Sequence, residues 1–361
     1  MYEDSAVAVV VPAYNEAGFV GDVIDTVPAY VDRVYVVDDC STDDTWAEIR
    51  RHARSANAES DVEGVRSDDP ETSLADRARD PPGDLSTGGD NAVADGGAAA
   101  HPVVVPIRHE RNRGVGGAIK TGYRRALADE VDAVAVMAGD GQMDPDRLES
   151  LLEPVVDGRA GYAKGNRLSE GDSREMSAWR LFGNLTLTLL TKVASGYWGM
   201  MDPQNGYTVI SREALEAVDL DRLYEGYGFT NDLLVALNTQ SVRIADVSMP
   251  AVYGDERSHI RYRSFVPRLS WLLLRSFVRR LGRKYVLRDF HPLALLYALG
   301  AAASAVALAG LGAAAAARSN ADSAGGRAMA SLVLLVLSSL SVLLAMAFDR
   351  EENAETVVRV E

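Results

Sequence analysis

Residue types and sequence patterns that form disulfides, zinc sites and phosphate-binding loops are rare or absent in this sequence. A single cysteine, Cys40, stands among 361 residues, so no disulfide can form within the chain. The five histidines show no paired spacing of the kind that holds zinc. No glycine–lysine–serine phosphate loop occurs, and 114–117 lacks the third spaced glycine of a dinucleotide fingerprint. The chain also begins without an apolar segment, so we expect no secretion signal.

Basic charge is also in short supply. Lys and Arg number 37 against 52 Asp and Glu, which gives a formal net charge of −15 at pH 7. Binding to a phosphate backbone requires a basic face that this balance does not provide. We therefore expect no nucleic-acid partner.

Short apolar runs alternate with amphipathic stretches in the first half of the chain. Strands are predicted at 6–11, 34–37, 103–105 and 133–137, and helices at 16–27, 42–52, 116–129 and from Pro145 onward. Asn15 and Asp144 are the predicted N-caps of the first and last of these helices. The alternation predicts an α/β fold with a doubly wound, mostly parallel sheet.

Residues 53–101 interrupt this pattern. They carry eleven acidic and four basic side chains and almost no apolar periodicity. Such a stretch cannot bury enough apolar surface to offset its ordering entropy. We interpret it as a disordered acidic insertion in a main domain spanning 1–263, with a small separate domain as the alternative.

Two long uncharged stretches mark the C-terminal end. Positions 292–317 have no charged residue in 26 positions and 329–348 have none in 20, so each can cross a hydrocarbon core of about 30 Å. The alanine-rich first stretch also fits a buried core helix. Six basic residues precede the pair, which places that side in the cytoplasm: Arg275, Arg279, Arg280, Arg283, Lys284 and Arg288. The pattern predicts an amphipathic interfacial segment at 264–291, two membrane helices within 292–348 with an external turn at 318–328, and a cytoplasmic tail at 349–361.

Polar residues follow three of the predicted strands. The first strand is followed by Pro12-Ala13-Tyr14-Asn15-Glu16, the second by Asp38-Asp39-Cys40-Ser41, and the fourth by Ala138-Gly139-Asp140-Gly141-Gln142-Met143-Asp144. Parallel sheets bind ligands beyond the carboxyl ends of their strands. Carboxylates and amides there can accept hydrogen bonds from a nucleoside or hold a divalent cation against a diphosphate.

These motifs resemble those of the family 2 glycosyltransferases, and among them the dolichyl-phosphate mannose and glucose synthases. The resemblance covers about 7–266 and also includes the glycine-rich segment 112–118. It implies a GT-A nucleotide-diphospho-sugar transferase fold. It also implies a nucleotide-sugar site with a defined set of binding residues: Pro12, Tyr14, Glu16, Asp38, Asp39, Gly117 and Asp140.

The metal motif of the family is incomplete in this sequence. Ala138 stands where the family usually has the first aspartate, while Asp140 and Gln142 match the remaining positions. The resemblance implies that Asp140 and Gln142 hold Mg²⁺ or Mn²⁺ with the donor's phosphates, and that Asp140 is catalytic. The alternative suggested by Ala138 is a non-catalytic membrane protein that retains nucleotide binding.

The resemblance assigns the acceptor side to basic residues farther along the chain. The segment Gly165-Asn166-Arg167 resembles the family's glycine–serine–arginine segment after its fifth strand, and Arg167 is expected near phosphates, where a guanidinium can bind in a bidentate manner. Arg257, Ser258, His259 and Arg261 match a segment expected to hold a lipid phosphate at the bilayer surface, with His259 in place of the usual lysine. The loop 202–207 resembles the one that shapes the sugar and acceptor pocket.

Asp232 occupies a position where many relatives carry an acidic base. With an anionic phosphate acceptor, Asp232 is expected to orient a ligand, and with a sugar hydroxyl it would act as general base. The resemblance therefore implies inverting transfer of a hexose from a UDP- or GDP-sugar to dolichyl or polyprenyl phosphate. Transfer to a lipid-linked or protein-linked glycan is the alternative. In either case the enzyme is expected in the cell membrane with its catalytic domain in the cytoplasm.

Overall fold

The structure, a computed structural model, describes residues 1–66, 102–167, 178–250, 262–316 and 321–360. Within these ranges, eight strands form one sheet in the order β3-β2-β1-β4-β6-β5-β7-β8. The strands are β1 (Val7–Ala13), β2 (Arg33–Asp38), β3 (Val103–Arg108), β4 (Ala133–Val136), β5 (Tyr162–Asn166), β6 (Thr208–Ser211), β7 (Ile244–Ser248) and β8 (Val357–Val360). Only β6 runs antiparallel to its neighbours in this part of the chain, so the predicted mostly parallel sheet is confirmed.

Helices cover both faces of the sheet. They are α1 (Val20–Asp25), α2 (Thr45–Arg66), α3 (Val115–Ala128), α4 (Leu148–Val156), α5 (Ala178–Ser195), α6 (Arg212–Glu216), α7 (Phe229–Thr239), α8 (Tyr262–Arg280), α9 (Leu293–Ala316) and α10 (Ala321–Glu352). Successive residues of β1 point to opposite faces, so Val9 packs with α1, α2 and α4 while Val10 packs with α3 and α7. The doubly wound arrangement is therefore confirmed.

Two details of the first half differ from the predictions. Phe19, not Asn15, precedes α1, because Asn15 takes a left-handed φ of 57° and its side chain accepts a hydrogen bond from Thr42 N in the neighbouring loop. Helix α2 continues to Arg66, so 53–66 of the predicted disordered insertion are helical. Asn57 explains part of this extension, because it exchanges two hydrogen bonds with Val104 on β3. Residues 67–101 lie outside the described residues.

Helices α9 and α10 form a hairpin, and each is long and apolar enough to cross a membrane. An 18-residue window reaches a mean hydropathy of 1.9 within Leu293–Ala316 and 2.5 within Ala324–Glu352, and only 22% and 17% of these windows are buried. Small residues let the helices approach closely, as in the 2.8 Å hydrogen bond from Ser304 Oγ to Ser338 Oγ. Because α10 begins at Ala321, residues 321–328 of the predicted external turn are helical.

The C-terminal residues return to the sheet. Strand β8 pairs in parallel with β7, and Ile244 is aligned with Val357. Residues 357–360 of the segment predicted as a cytoplasmic tail thus form a strand of the main sheet. As a consequence, the apolar hairpin is inserted between two adjacent strands of one sheet.

A buried ion pair joins the hairpin to the main domain. Arg280 and Asp349 are both 0% exposed and make two hydrogen bonds of 2.9 and 2.8 Å. Tyr285 donates to the same carboxylate at 2.8 Å, and Arg280 Nη2 donates to the carbonyl of Val193 at 3.0 Å. Arg280, which the sequence pattern associated with the membrane surface, thus connects α5, α8 and α10 inside the protein.

Candidate functional site

The loops after β1, β2 and β4 meet at one edge of the sheet, as the sequence predicts. Asp39 N donates to Ala13 O at 2.9 Å, and Gly139 N donates to Pro12 O at 3.1 Å. A Cβ at position 139 would lie 3.2 Å from the Cβ of Ala13, so glycine permits this close approach. The three motifs therefore form one continuous surface.

The β1 loop presents an aromatic ring to solvent beside this surface. Tyr14 is 46% exposed, and the following residues are fixed from α2 and its preceding loop. Asn15 N donates to Ser41 Oγ at 3.0 Å, and Glu16 N donates to Thr45 Oγ1 at 2.8 Å. A fixed loop with an exposed ring can stack on a flat ligand such as a nucleobase.

Asp38 and Asp39 organise the adjacent loops from buried positions. Asp38 accepts from Ser41 N at 3.0 Å and lies 3.1 Å from Arg108 Nε. Asp39 accepts from His109 Nδ1 at 2.7 Å, and also from Arg113 N and Gly114 N. The sequence predicts that both aspartates contact the nucleotide sugar; in the structure they hold the loops that follow β2 and β3.

The glycine-rich segment is attached to a residue that sequence analysis missed. Gly117 N donates to the carbonyl of Glu225 at 3.1 Å. The carboxylate of Glu225 accepts from Arg113 at 2.9 Å and from Lys120 at 3.0 Å. Burial would raise the pKa of Glu225, but the hydrogen bonds from Lys120 and Arg113 hold that pKa below its ordinary value. Glu225 lies in a loop without a motif, so no local sequence signal identified it.

A cavity of about 200 Å³ lies next to the β4 loop. Its lining combines two carboxylates, two guanidinium groups and several amide or aromatic side chains: Asp140, Gln142, Met143, Asp144, Arg147, Arg167, Asn205, Gly206, Tyr207, Met249 and Pro250. The structure thus brings together Asp140, Gln142 and Arg167, and it adds Asp144 and Arg147, which sequence analysis did not assign. Pro12, Tyr14, Asp38, Asp39 and Gly117 are outside this lining; Tyr14 is exposed beside it, and the other four are buried.

Asp140 and Gln142 offer a small set of oxygen donors. Asp140 Oδ1 accepts from Gln142 N at 3.1 Å across Gly141, whose φ of 72° permits the turn. Among the described residues, no group of three acidic, histidine or cysteine side chains could hold a metal ion. The donor set suits a hard divalent cation when phosphate oxygens complete the coordination shell. The residues therefore fit a cation that binds together with a diphosphate.

Arg167 is held at the cavity by a buried carboxylate. Its Nε donates to Asp202 Oδ2 at 2.9 Å, and Asp202 is 8% exposed. Burial alone would raise the pKa of Asp202, but Lys164 and Arg167 keep that pKa below its ordinary value. Lys164 is fully buried, and burial lowers the pKa of its ammonium group. These charges keep Asp202 ionised and Arg167 oriented.

Asp232 lies buried near the start of α7. Its carboxylate accepts from Tyr224 N at 3.0 Å and from Ser276 Oγ at 2.8 Å, and it pairs with Arg279 of α8. It does not line the cavity. The segment with Arg257, Ser258, His259 and Arg261 lies outside the described residues.

Comparison with known proteins identifies the family of this chain. The model of "Glycosyl transferase family 2" matches residues 8–71 and 84–219. A UDP-N-acetylglucosamine–dolichyl-phosphate N-acetylglucosaminyltransferase of Methanococcus voltae is 23% identical over 254 residues, covering 70% of this chain and 88% of the relative. An undecaprenyl-phosphate mannosyltransferase of Micrococcus luteus is 30% identical over 177 residues, covering 47% of this chain and 69% of the relative.

Solved structures are similar over most of the chain. The Pyrobaculum calidifontis mannosyltransferase PcManGT, in complex with GDP-Man and Mn²⁺, has a TM-score of 0.44 and 18% identity, covering 96% of this chain and 87% of the other. The family match alone spans more than half of the chain, and the sheet has the predicted α/β architecture. The chain belongs to the family 2 glycosyltransferases, with a GT-A-like fold.

Proposed function

We propose that this enzyme transfers a sugar from a nucleotide diphosphate sugar to a polyprenyl phosphate such as dolichyl phosphate, at a membrane surface. The observation that carries the proposal is the cavity in which Asp140 and Gln142 share a lining with Arg147 and Arg167, in a chain with two apolar helices. Carboxylate and amide oxygens suit a cation-bound diphosphate, and guanidinium groups suit a phosphate acceptor. The two relatives described above have names that specify polyprenyl-phosphate acceptors, which agrees with this proposal.

The proposed reaction is a single inverting displacement. A phosphate oxygen of the lipid attacks the anomeric carbon, the bond from that carbon to the diphosphate oxygen breaks, and the nucleoside diphosphate leaves. A phosphate monoester is anionic near neutral pH, so the attack requires little deprotonation. Arg167, held by Asp202, is positioned to bind and orient the acceptor phosphate, and Arg147 is a second candidate for that contact.

Asp140 and Gln142 would hold Mg²⁺ or Mn²⁺ in this proposal. A bound divalent cation stabilises the negative charge that develops on the departing diphosphate. Ala138 supplies no carboxylate, so the protein contributes fewer charged ligands than the family motif and depends more on the donor's phosphates. We expect weak cation binding to the free protein and tighter binding with the nucleotide present.

The segment 257–261 completes the acceptor side of the proposal. Arg257, Ser258, His259 and Arg261 would hold the lipid phosphate where the membrane begins. The positive-inside pattern supports a catalytic domain on the cytoplasmic side. Pro12, Tyr14, Glu16, Asp38, Asp39 and Gly117 would bind the nucleoside and diphosphate at the adjoining surface.

The contacts of Asp232 favour a phosphate acceptor over a glycan hydroxyl. A general base must reach the proton that it removes, but Asp232 is buried and bonded to Tyr224, Ser276 and Arg279. Asp232 would then orient α7 and α8 beside the acceptor. The non-catalytic alternative predicts donor binding without turnover in both Mg²⁺ and Mn²⁺.

The experiment uses the full chain in vesicles with polyprenyl phosphate and a panel of radiolabelled UDP- and GDP-sugars. We expect label in an acid-labile lipid fraction with one donor, and loss of that label in Asp140→Asn. Label in a glycan fraction, with polyprenyl phosphate inert, would support the hydroxyl acceptor. Full activity of Asp140→Asn would contradict the assigned role of Asp140.

A further inference from the structure

The loop before α7 rests on the start of α3. This loop spans 223–228 and leads directly into α7. Lys120 of α3 donates from Nζ to the carbonyl of Leu223 at 3.2 Å, and Gly117 N donates to the carbonyl of Glu225 at 3.1 Å. The first two turns of α3 therefore bind two carbonyl groups of the 223–228 loop.

Glycines at the start of α3 make this contact possible. A Cβ at Gly114 would lie 2.7 Å from the carbonyl oxygen of Glu225, and a Cβ at Gly116 would lie 2.8 Å from that of Tyr224. Both oxygens belong to the backbone, so a larger residue at either position would displace the loop. We term Gly114, Gly116 and Gly117 the glycine cradle. Part of the glycine-rich segment is thus required for packing against the 223–228 loop.

A charged cluster holds the loop in this place. The Oε1 atom of Glu225 accepts hydrogen bonds from Arg113 Nη2 at 2.9 Å and from Lys120 Nζ at 3.0 Å. The Lys120 side chain is only 2% exposed, and among the described residues its ammonium group forms an ion pair with Glu225 alone. A buried charge without a countercharge is strongly unfavourable. Glu225 therefore supplies the charge that keeps Lys120 bonded to the loop.

The segment beneath the loop is also bonded to Asp39. The carboxylate of Asp39 accepts from Arg113 N at 2.8 Å and from Gly114 N at 2.7 Å. Arg113 and Gly114 thus contact Glu225 on one side and Asp39 on the other. Displacement of the loop would therefore disturb the surroundings of the Asp39 carboxylate.

The loop is connected to the cavity through α7. Asp232 accepts from Tyr224 N at 3.0 Å. The preceding residue, Asn231, accepts through Oδ1 from Gln204 Nε2 at 3.1 Å, and Gln204 directly precedes Asn205 in the cavity lining. The 223–228 loop thus joins the segment around Asp39 to the helix that contacts the cavity loop.

We propose that Glu225 is a positioning residue for the transfer reaction. Its carboxylate keeps the 223–228 loop in the glycine cradle, and the loop in turn fixes the segment that holds Asp39 for the nucleoside. This proposal rests on the nucleotide site of the proposed function, and not on the identity of the sugar or the acceptor. Loss of the charge at position 225 weakens nucleotide binding and leaves the chemical step unchanged.

Nucleotide binding by charge variants tests this role. The full chain in nanodiscs is titrated by calorimetry with UDP and with GDP in the presence of Mn²⁺. For the nucleotide that the wild type prefers, we expect Glu225→Gln to weaken binding at least about fivefold and Glu225→Asp, which keeps the charge, to stay within about twofold. Glu216→Gln is the matched control, because Glu216 pairs with Arg212 at 2.9 Å but is 54% exposed and lies outside the loop. The control should leave the affinity unchanged.

A glycine variant tests the contact without changing a charge. Gly116→Ala places a Cβ against the loop backbone, so it should weaken nucleotide binding by a similar factor. Gly183→Ala is the matched control, because Gly183 also lies within a helix but a Cβ there would meet no atom of the described residues within 4 Å. Amide hydrogen exchange over 223–228 should be faster in Glu225→Gln and Gly116→Ala than in the two controls.

Steady-state kinetics separates positioning from a general loss of structure. In Glu225→Gln the KM for the donor should rise at least about fivefold while kcat stays within about twofold of the wild-type value. Unchanged nucleotide affinity in Glu225→Gln would overturn the proposal, and so would an equal loss of affinity in Glu225→Asp. A lower kcat with an unchanged donor KM would also overturn it. A wild-type chain that binds nucleotide but forms no lipid product would contradict only the proposed function.

Discussion

Replacement of Asp349 should show most clearly how much more a buried ion pair, here with Arg280, contributes to stability than an ordinary surface ion pair. Asp349→Asn preserves the size of the side chain but leaves the Arg280 guanidinium buried without a countercharge. Breaking a buried pair in this way costs about 3–5 kcal/mol. For a domain of this size each kcal/mol corresponds to about 2–4 °C in Tm, so a fall of roughly 6–20 °C is expected.

The assay is thermal unfolding of the full chain in detergent, followed by tryptophan fluorescence. Trp198 is a local reporter, because its Nε1 donates to Asp349 Oδ2 at 3.3 Å. Asp157→Asn is the matched control: Asp157 pairs with Arg159, but their side chains are 43% and 41% exposed. Exposed pairs contribute about 0–1 kcal/mol, so the control should change Tm by only a few degrees.

A second variant covers the case in which Asp349→Asn fails to fold. Arg280→Met combined with Asp349→Leu removes both charges and keeps an apolar contact, which is often neutral for stability. We expect this double variant to recover most of the lost Tm. Equal shifts for Asp349→Asn and Asp157→Asn would refute the reasoning, and so would a double variant less stable than the single one.

Three further predictions concern the single side chains of Asp202, Ala138 and Asp246. Asp202→Asn removes the countercharge of Arg167, so kcat/KM for the lipid acceptor should fall about 10–100-fold while KM for the donor stays unchanged. Steady-state kinetics with both substrates varied measures these two parameters. Ala138→Asp adds a carboxylate near Asp140, so Mn²⁺ should bind at least about tenfold tighter, or by about 1.4 kcal/mol, when nucleoside diphosphate is present. Electron paramagnetic resonance of Mn²⁺ measures this affinity. Equal affinity in the variant and the wild type would place position 138 away from the cation. Burial raises the pKa of Asp246 from 3.8 to about 6, so the folded state retains this proton and the protein should lose about 2–3 kcal/mol of stability as pH rises from about 4 to 6. Denaturant titrations at several pH values across this range measure the change of the free energy of unfolding with pH, which Asp246→Asn should remove. The same pH dependence in the variant would assign it to other groups.

The strand pattern and the motif loops could be predicted because their signals are local. The apolar run of β1 and the N-cap signal of Asp144 followed by Pro145 can each be recognised in a short segment of the sequence. Asp144 caps the following turn as expected. The β1, β2 and β4 loops meet at one sheet edge because parallel strands carry their carboxyl ends to that edge.

Features that depend on distant partners could not be predicted in the same way. Asp349 and Arg280 are 69 positions apart, and nothing near either residue indicates that both are buried. Strand β8 is only four residues long, so its apolar run was too short to distinguish from a tail. Glu225 and Asp202 likewise act through Lys120, Arg113 and Arg167, which are near them only in the folded chain.

Asp140 and the Arg167–Asp202 pair are proposed to serve one transfer reaction with a lipid phosphate acceptor. Its most direct measurement is product formation by the full chain in vesicles that contain polyprenyl phosphate, a labelled nucleotide sugar and Mn²⁺. We predict equal amounts of an acid-labile sugar phosphate lipid and free nucleoside diphosphate, both lost in Asp140→Asn and strongly reduced in Asp202→Asn. Release of nucleoside diphosphate without labelled lipid, or labelled lipid undiminished in Asp140→Asn, would contradict the account.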